Sequence, residues 1–289
     1  MGFDFIAKPF GILMEFIYNN LAFQNYGVAI VIFTVIIKIL LMPLQIKQQR
    51  SMLKQQEIQP ELQELQKTYA NDRSKLAEEQ QKLYAKHNIS MTAGCLPMLI
   101  QFPLIIALYQ IIRQPLTYIS GLSSSAISKI AEVLGIAANN ELAINNALIK
   151  DPSLLEKVSE WISKSDIINM NFLRIFDLGE TPAFNPSTIK GNLSLYLPLL
   201  LIPILSGVSA VLMQRMSMAR VNKNKKDEKK QEGPNMANNM MKIMPLMSLV
   251  IAFTVPAGLG WYWTVSNILS MGQMALINRI IEKQKEGRL

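Results

Sequence analysis

The sequence predicts an all-α polytopic membrane protein with five transmembrane helices and a cytoplasmic helical hairpin. Half of the 289 residues are hydrophobic and only 17% are charged, whereas soluble proteins usually carry about 25% charged residues. The mean hydropathy is +0.20, and several uncharged runs approach the roughly 20 residues that one crossing needs. This composition argues against a soluble enzyme.

Residues 1–26 are predicted to lie outside the membrane. Apolar residues at near-helical spacing indicate a short helix over 3–24 in the outer interface: Phe10, Leu13, Met14, Ile17, Leu21 and Phe23. The alternative is a frayed extension of the first span. The segment lacks the positively charged N-terminal region that is typical of a signal peptide.

Three spans follow from the uncharged runs. The first, 27–44, is interrupted only by Lys38. The second is 93–113, and the third is 193–213.

The fourth and fifth spans come from one uncharged run of 35 residues, Ile243–Ile277, which is too long for a single crossing. Its sequence Pro256-Ala257-Gly258-Leu259-Gly260 predicts a tight reversal, since proline and glycine together favour turns. We therefore expect a fourth span over 243–257 and a fifth over 258–278. Both are short, which favours a thinned bilayer.

Segment 45–92 is predicted to be an antiparallel helical hairpin. Ile58, Leu62, Leu65 and Tyr69 follow heptad spacing, and Asp72 can cap a second helix. The surface is polar, so the hairpin is expected to be a mobile arm. A solvated loop and an arm that contacts clients are equally supported.

The charge distribution predicts the orientation. Segments 45–92 and 214–242 and the tail 279–289 carry a net +9, whereas 1–26 and 114–192 carry a net −3. By the positive-inside rule the first group is cytoplasmic and the second is outside. The net charge of +8 is thus mainly an orientation signal, and it does not indicate DNA binding. Segment 114–192 shows weak helical stretches over 125–137 and 152–164, and its role is unassigned.

Catalytic and metal chemistry have little support. The chain has one cysteine, Cys95, and one histidine, His87, so we expect no disulfide, no multi-thiolate metal site and no cofactor. No phosphate-binding loop is present. The spans contain no Asp or Glu, which argues against a proton- or sodium-coupled transporter.

Lys38 is the most informative residue. A charge near the centre of a membrane helix costs about 2.5–3.5 kcal/mol on insertion scales. Lys38 can snorkel to the inner headgroups or face a water-filled cavity. Thr34, four residues before Lys38 in the same span, favours the cavity, as do polar residues of three other spans, although each can instead serve helix–helix contact: Gln101, Ser206, Ser209, Ser266, Asn267 and Gln273.

Several motifs together resemble the YidC/Oxa/Alb family of membrane protein insertases. In chain order they are Asn25-Tyr26-Gly27, Ile37-Lys38-Ile39-Leu40-Leu41-Met42-Pro43-Leu44, Gln59-Pro60-Glu61-Leu62, Gly94-Cys95-Leu96-Pro97, Gln101-Phe102-Pro103, Pro256-Ala257-Gly258-Leu259 and Tyr262-Trp263-Thr264. The match covers most of 25–113 and 193–280.

The resemblance implies a five-helix core around a hydrophilic groove that opens to the cytoplasm and lipid but is closed to the outside. The expected client-binding residues of the groove are Lys38, Thr34, Gln101, Tyr262, Trp263, Ser266 and Asn267. Most bacterial members have arginine where this chain has Lys38, and lysine keeps the charge but loses the planar fork.

The implied function is a membrane protein insertase and chaperone in a bacterial plasma membrane. It would move hydrophobic segments of nascent proteins from the cytoplasm into the bilayer, as a monomer, alone or with the Sec translocon. No covalent bond changes, so this is not an enzyme. The basic loop 214–242 is a candidate ribosome contact, but a topology determinant near anionic lipid is favoured. The alternatives are a small-solute channel or transporter and an interaction scaffold.

Overall fold

A computed structural model describes residues 4–89, 96–182, 186–223, 247–285 and 287. Three predicted features lie outside these ranges: Cys95 with its motif, most of the basic loop 214–242, and the beginning of the fourth span.

The described chain is mostly helical. Its helices are α1 (Asp4–Asn20), α2 (Tyr26–Leu40), α3 (Met42–Glu57), α4 (Gln59–Thr68), α5 (Arg73–Lys86), α6 (Leu96–Arg113), α7 (Pro115–Tyr118), α8 (Ser124–Leu134), α9 (Glu141–Lys150), α10 (Ser153–Lys157), α11 (Pro186–Gly191), α12 (Leu193–Leu199), α13 (Leu201–Lys223), α14 (247–252) and α15 (Ala257–Lys285). A 3-10 helix covers Lys164–Asp166. Two short strands, β1 (Asn171–Phe172) and β2 (Phe176–Asp177), pair antiparallel.

The chain divides into two units. The first unit comprises Met1–Ile37 and Leu104–Met271, and the second comprises Lys38–Pro103 and Gly272–Leu289.

One stretch of the described chain, Leu193–Ser217, is long and apolar enough to cross a membrane by itself. A second candidate is a pair of helices, Tyr26–Leu40 and Met42–Gln55, bent by 62° at a short break. Helix α15 is long enough, but Trp, Tyr, Ser, Asn and Gln side chains interrupt its apolar residues. The prediction of five spans therefore remains a prediction.

The first predicted span, 27–44, is divided near its end. Helix α2 stops at Leu40, and α3 begins at Met42, ahead of the predicted hairpin start at 45. Pro43 explains the break, because proline has no backbone N–H and fits the first turn of a new helix.

In the first unit, α1 has two apolar faces. The inward face, with Ala7, Met14 and Ile17, is fully buried. Gly11 lies so close to the Tyr118 carbonyl of α7 that an added Cβ would be 3.0 Å from it. The outward face exposes three large apolar side chains, those of Phe5, Ile12 and Phe16.

The unassigned segment forms a small helical bundle with its own core. The buried residues that make this core come from α7 to α9 and the chain after α10: Leu116, Ile127, Ile130, Ala131, Ile144, Leu148, Val158 and Ile162. Ser123 caps α8 by accepting from the Ala126 N–H, and Gly135 ends it at φ +64°. Of the two predicted helical stretches, the first matches α8, and α9 was not anticipated.

Two polar side chains of α9 form hydrogen bonds that hold other parts of the bundle against this helix. The Glu141 carboxylate, only 3% exposed, accepts from the backbone N–H and the hydroxyl of Thr117, at 2.9 and 2.6 Å. The fully buried Asn145 side chain pairs with both backbone groups of Ile168. The chain approaching β1 is thereby held against α9.

In the second unit, α4 and α5 form the expected hairpin. Its core comprises Ile58, Leu62, Leu83 and Ile89, with Leu65 and Tyr84 packed against it. Asp72 caps α5 by accepting from the Lys75 N–H at 3.0 Å. Pro60 lies in the first turn of α4, where it restarts the helix after α3.

We predict that Glu141→Gln destabilises the first unit by about 1–3 kcal/mol, because one of the two Thr117 donors would then face an amide NH₂. The thermal midpoint of the detergent-solubilised protein measures this loss. Glu132→Gln, at an exposed position of α8, is the matched control and should leave the midpoint unchanged. Equal midpoints for the two variants would contradict the structural role of Glu141.

The same unit should become more stable as the pH falls through the raised pKa values of three buried carboxyl groups toward the ordinary values of about 4. Burial raises the pKa of the carboxyl groups of Glu141, Asp177 and Glu180. Above these raised pKa values the folded protein must keep charges that the unfolded chain solvates freely, so stability is lost as the pH rises through them.

The check is a series of thermal midpoints against pH. Asp177→Asn should reduce the rise at acidic pH, since Asn keeps the oxygen that accepts from the Gly179 N–H. A flat wild-type profile would contradict the prediction.

Candidate functional site

The seven candidate groove residues fall in both units. Thr34, Tyr262, Trp263, Ser266 and Asn267 belong to the first unit. The remaining two, Lys38 and Gln101, belong to the second unit.

The start of α15 is fixed by the chain that follows β2. The Ala257 N–H donates to the Glu180 carbonyl and the Gly258 N–H to the Leu178 carbonyl, both at 2.8 Å. These bonds satisfy donors that have no partner within a helix. The reversal therefore lies at 253–256 and begins three residues before the predicted stretch 256–260, since Ala257 already belongs to the helix.

The glycines of this motif serve close packing rather than the turn. An added Cβ at Gly258 would lie 3.1 Å from the Leu178 carbonyl, and one at Gly260 would lie 2.9 Å from Ile202 of α13. A larger residue at either position would push α15 away from its neighbours.

Trp261 joins α15 to the start of α2. Its indole Nε1 donates to the Gly27 carbonyl at 3.1 Å, and its ring lies 4.9 Å from that of Phe172 in β1. An added Cβ at Gly27 would lie 2.3 Å from the Phe172 ring, so only glycine fits without movement. The tryptophan that follows the reversal therefore fixes the register between α15 and α2.

Asn267 links α15 to α13. Its side-chain NH₂ donates to the Ser209 hydroxyl at 3.1 Å, and that hydroxyl donates to the Ser206 carbonyl at 2.9 Å. The fully buried Ser206 hydroxyl has no hydrogen-bond partner among the described residues. The contact of Asn267 thus joins two helices of the first unit.

The other candidates of the first unit are more enclosed than a lining role suggests. Thr34 is 1% exposed, and its hydroxyl donates to the Ile30 carbonyl of its own helix at 2.6 Å. Tyr262 and Ser266 are buried as well, while Trp263 is half-buried.

In the second unit, Lys38 is half-buried in the last turn of α2. The carbonyls of a last turn have no partner within the helix, and that of Lys38 accepts from the Gln273 side chain at 3.1 Å. A cation is favoured at this end of a helix by the helix dipole. Gln101 is half-buried near the start of α6.

Lys38 thus lies two residues from the end of its helix, whereas the predicted span placed it six residues from the inner end.

These candidate side chains can attract a charged group or form hydrogen bonds, which suits binding rather than covalent catalysis. Within the described ranges no group of three or more His, Cys, Asp or Glu side chains could hold a metal ion.

The sequence reasoning missed the contacts that position these helices. Trp261 precedes the recognised aromatic pair and was not singled out. Asn25 was noted only as part of a motif, yet it caps α2 by accepting from the Val28 N–H and donates to the Asn171 carbonyl. An Asn before an apolar helix is a readable capping signal, whereas its partner 146 residues away is not.

Comparison with known proteins agrees with the motifs. The family described as 60Kd inner membrane protein matches residues 16–285. Membrane protein insertase MisCA of Bacillus subtilis is 28% identical over 94% of this chain and 77% of its own length.

Two relatives named membrane protein insertase YidC are similar in the same way. The protein of Haemophilus influenzae (strain PittEE) is 29% identical, and that of Pasteurella multocida is 30% identical, each over 97% of this chain. This chain spans only 38% of the length of either. With a family match that covers nearly the whole sequence, the chain belongs to the 60Kd inner membrane protein family, the YidC/Oxa/Alb insertases.

Proposed function

We propose that this protein is a membrane protein insertase that moves hydrophobic segments of nascent proteins into the lipid bilayer through a hydrophilic groove. The family match carries this proposal, since it spans residues 16–285 and so includes all seven candidate residues. The cellular setting we propose is a bacterial plasma membrane, with five spans, an outer N-terminus and a cytoplasmic C-terminus.

The proposed mechanism is physical. An acidic flank of a client is attracted to Lys38, while its apolar segment moves along the helices into lipid. Helix α2 has 15 residues and is about 22 Å long, shorter than the hydrocarbon core of about 30 Å. A short helix favours a locally thinned bilayer, which reduces the distance that a polar segment must cross.

The partners we propose are nascent membrane proteins and the bilayer. The Sec translocon and the ribosome are further candidates, with the ribosome contact assigned to loop 214–242. The α4–α5 hairpin is a candidate client arm, because its surface is polar and its apolar core is small.

We predict that Lys38→Ala and Lys38→Glu impair insertion of a client whose translocated tail is acidic, and that Lys38→Glu does so more strongly. Lys38→Arg should preserve insertion, because it keeps the charge. The assay is protease protection of the translocated tail in proteoliposomes that contain no other insertase.

Lys54→Glu is the matched control, because it makes the same charge change at an exposed position of α3 in the same unit. A second client with a neutral tail should respond little to any of these variants. Unaltered insertion of the acidic client by Lys38→Glu would overturn the role of this charge. Photocrosslinking of stalled nascent chains from position 38 would test client contact directly.

Asn267 can act as a helix contact or as a client contact, and its variants distinguish the two. We expect Asn267→Ala and Ser209→Ala to show a coupling free energy of about 0.6 kcal/mol in a double-mutant cycle of stability in detergent. Gln110→Ala, outside this link, is the non-coupled control. If Asn267→Ala lost insertion activity while the coupling free energy with Ser209 was zero, Asn267 would be a client contact instead.

The small-solute channel is the rival proposal. It predicts solute flux through liposomes that contain the purified protein, whereas an insertase predicts crosslinks to nascent chains from positions 34, 38 or 262.

A further inference from the structure

A polar cavity of about 590 Å³ lies in the first unit, and none of the seven candidate groove residues lines it. Its wall comes from the end of α6, the start of α9, the chain after β2, α12 and the turn before α15. The side chains that matter here are those of Tyr109, Arg113, Asn140, Asn146, Glu180 and Tyr196.

Arg113 gives the cavity a cation. One guanidinium N–H group donates to the Tyr109 hydroxyl at 2.9 Å, and the guanidinium carbon lies 5.6 Å from the centre of that ring. The contact with the ring orients the guanidinium group of Arg113, which is otherwise exposed and has five N–H donors in total. A planar guanidinium group can donate two parallel hydrogen bonds to the oxygens of a phosphate group.

Glu180 gives the same cavity an anion. Its half-buried carboxylate accepts from the Asn146 side chain at 3.3 Å, and its backbone carbonyl holds the start of α15. A simple anion would gain from Arg113 but would be repelled by Glu180. A ligand that carries both a phosphate and an ammonium group would satisfy both charges.

Exposed apolar side chains lie near two wall residues, Tyr196 and Thr254, along the chain. On α12, Leu193 and Leu197 on either side of Tyr196 are 55% and 56% exposed. Val250, one turn before the wall residue Thr254, is 62% exposed. In a membrane protein, exposed apolar residues of this kind face acyl chains, and Tyr109 and Tyr196 are residues typical of the membrane–water interface.

We propose that this cavity binds the headgroup of a phospholipid that carries a phosphate and a primary ammonium group. The phosphate lies on Arg113, the ammonium group lies on Glu180, and the acyl chains follow the apolar side chains of α12 and α14. This site needs only the membrane location of the family and is independent of the proposed insertase function.

The test uses the full chain in vesicles with equal amounts of phosphatidylethanolamine and phosphatidylglycerol, followed by extraction and native mass spectrometry. The wild type should retain one phosphatidylethanolamine in preference to phosphatidylglycerol. Arg113→Gln should lower lipid retention by about tenfold or more, the effect of losing a charge-assisted hydrogen bond. Glu180→Gln should remove the preference between the two lipids.

Arg174→Gln is the matched control, because it removes an exposed arginine of the same unit that does not line the cavity. Ala143→Phe fills the cavity without changing a charge and should also abolish retention, which covers the case that Arg113→Gln fails to fold.

Any of three results would overturn the proposal. The first is equal retention by the wild type and by Ala143→Phe, and the second is equal retention of both lipids by the wild type. The third is a photocrosslink from position 196 to a polypeptide instead of a lipid, which would make the cavity a peptide site.

Discussion

The first unit depends on how the start of α15 is satisfied. The first turn of a helix has backbone N–H groups without partners inside the helix, and leaving such a group buried and unpaired costs free energy comparable to a lost hydrogen bond. Here the carbonyls of Leu178 and Glu180 accept from the first N–H groups of α15. Because those carbonyls belong to the segment after β2, the position of α15 is determined by a part of the chain that has no recognisable motif.

Close packing around the start of α15 also explains why glycine occurs at two positions. Gly27 lies against the Phe172 ring of β1, and Gly258 lies against the Leu178 carbonyl just after β2. The indole of Trp261 bonds to the Gly27 carbonyl, so three elements meet with little space between them. Close approach, rather than backbone freedom, is the reason that glycine is needed at both positions.

Much of the helical fold could be predicted from local patterns, and its tertiary contacts could not. The heptad spacing from Ile58 to Tyr69 and the cap at Asp72 predicted the hairpin, because both signals act within a few residues. The break between α2 and α3 after Leu40 was not predicted, although Pro43 is a local signal for it. For the candidate site, the motifs supplied Lys38 and Tyr262. The link from Asn267 to Ser209 spans 58 residues and is determined by packing that no local pattern reports.

Hydroxyl groups are weaker evidence for a wet groove than the sequence suggests. Thr34 and Thr264 each donate to the carbonyl four residues earlier, and Ser209 donates to the carbonyl three residues earlier. A hydroxyl satisfied in this way needs no water and is compatible with a helix in lipid. A lysine ammonium group is different, because its charge is costly at membrane depth and favours either the headgroup region or water. Lys38 is therefore stronger support for a hydrophilic groove than the number of polar residues.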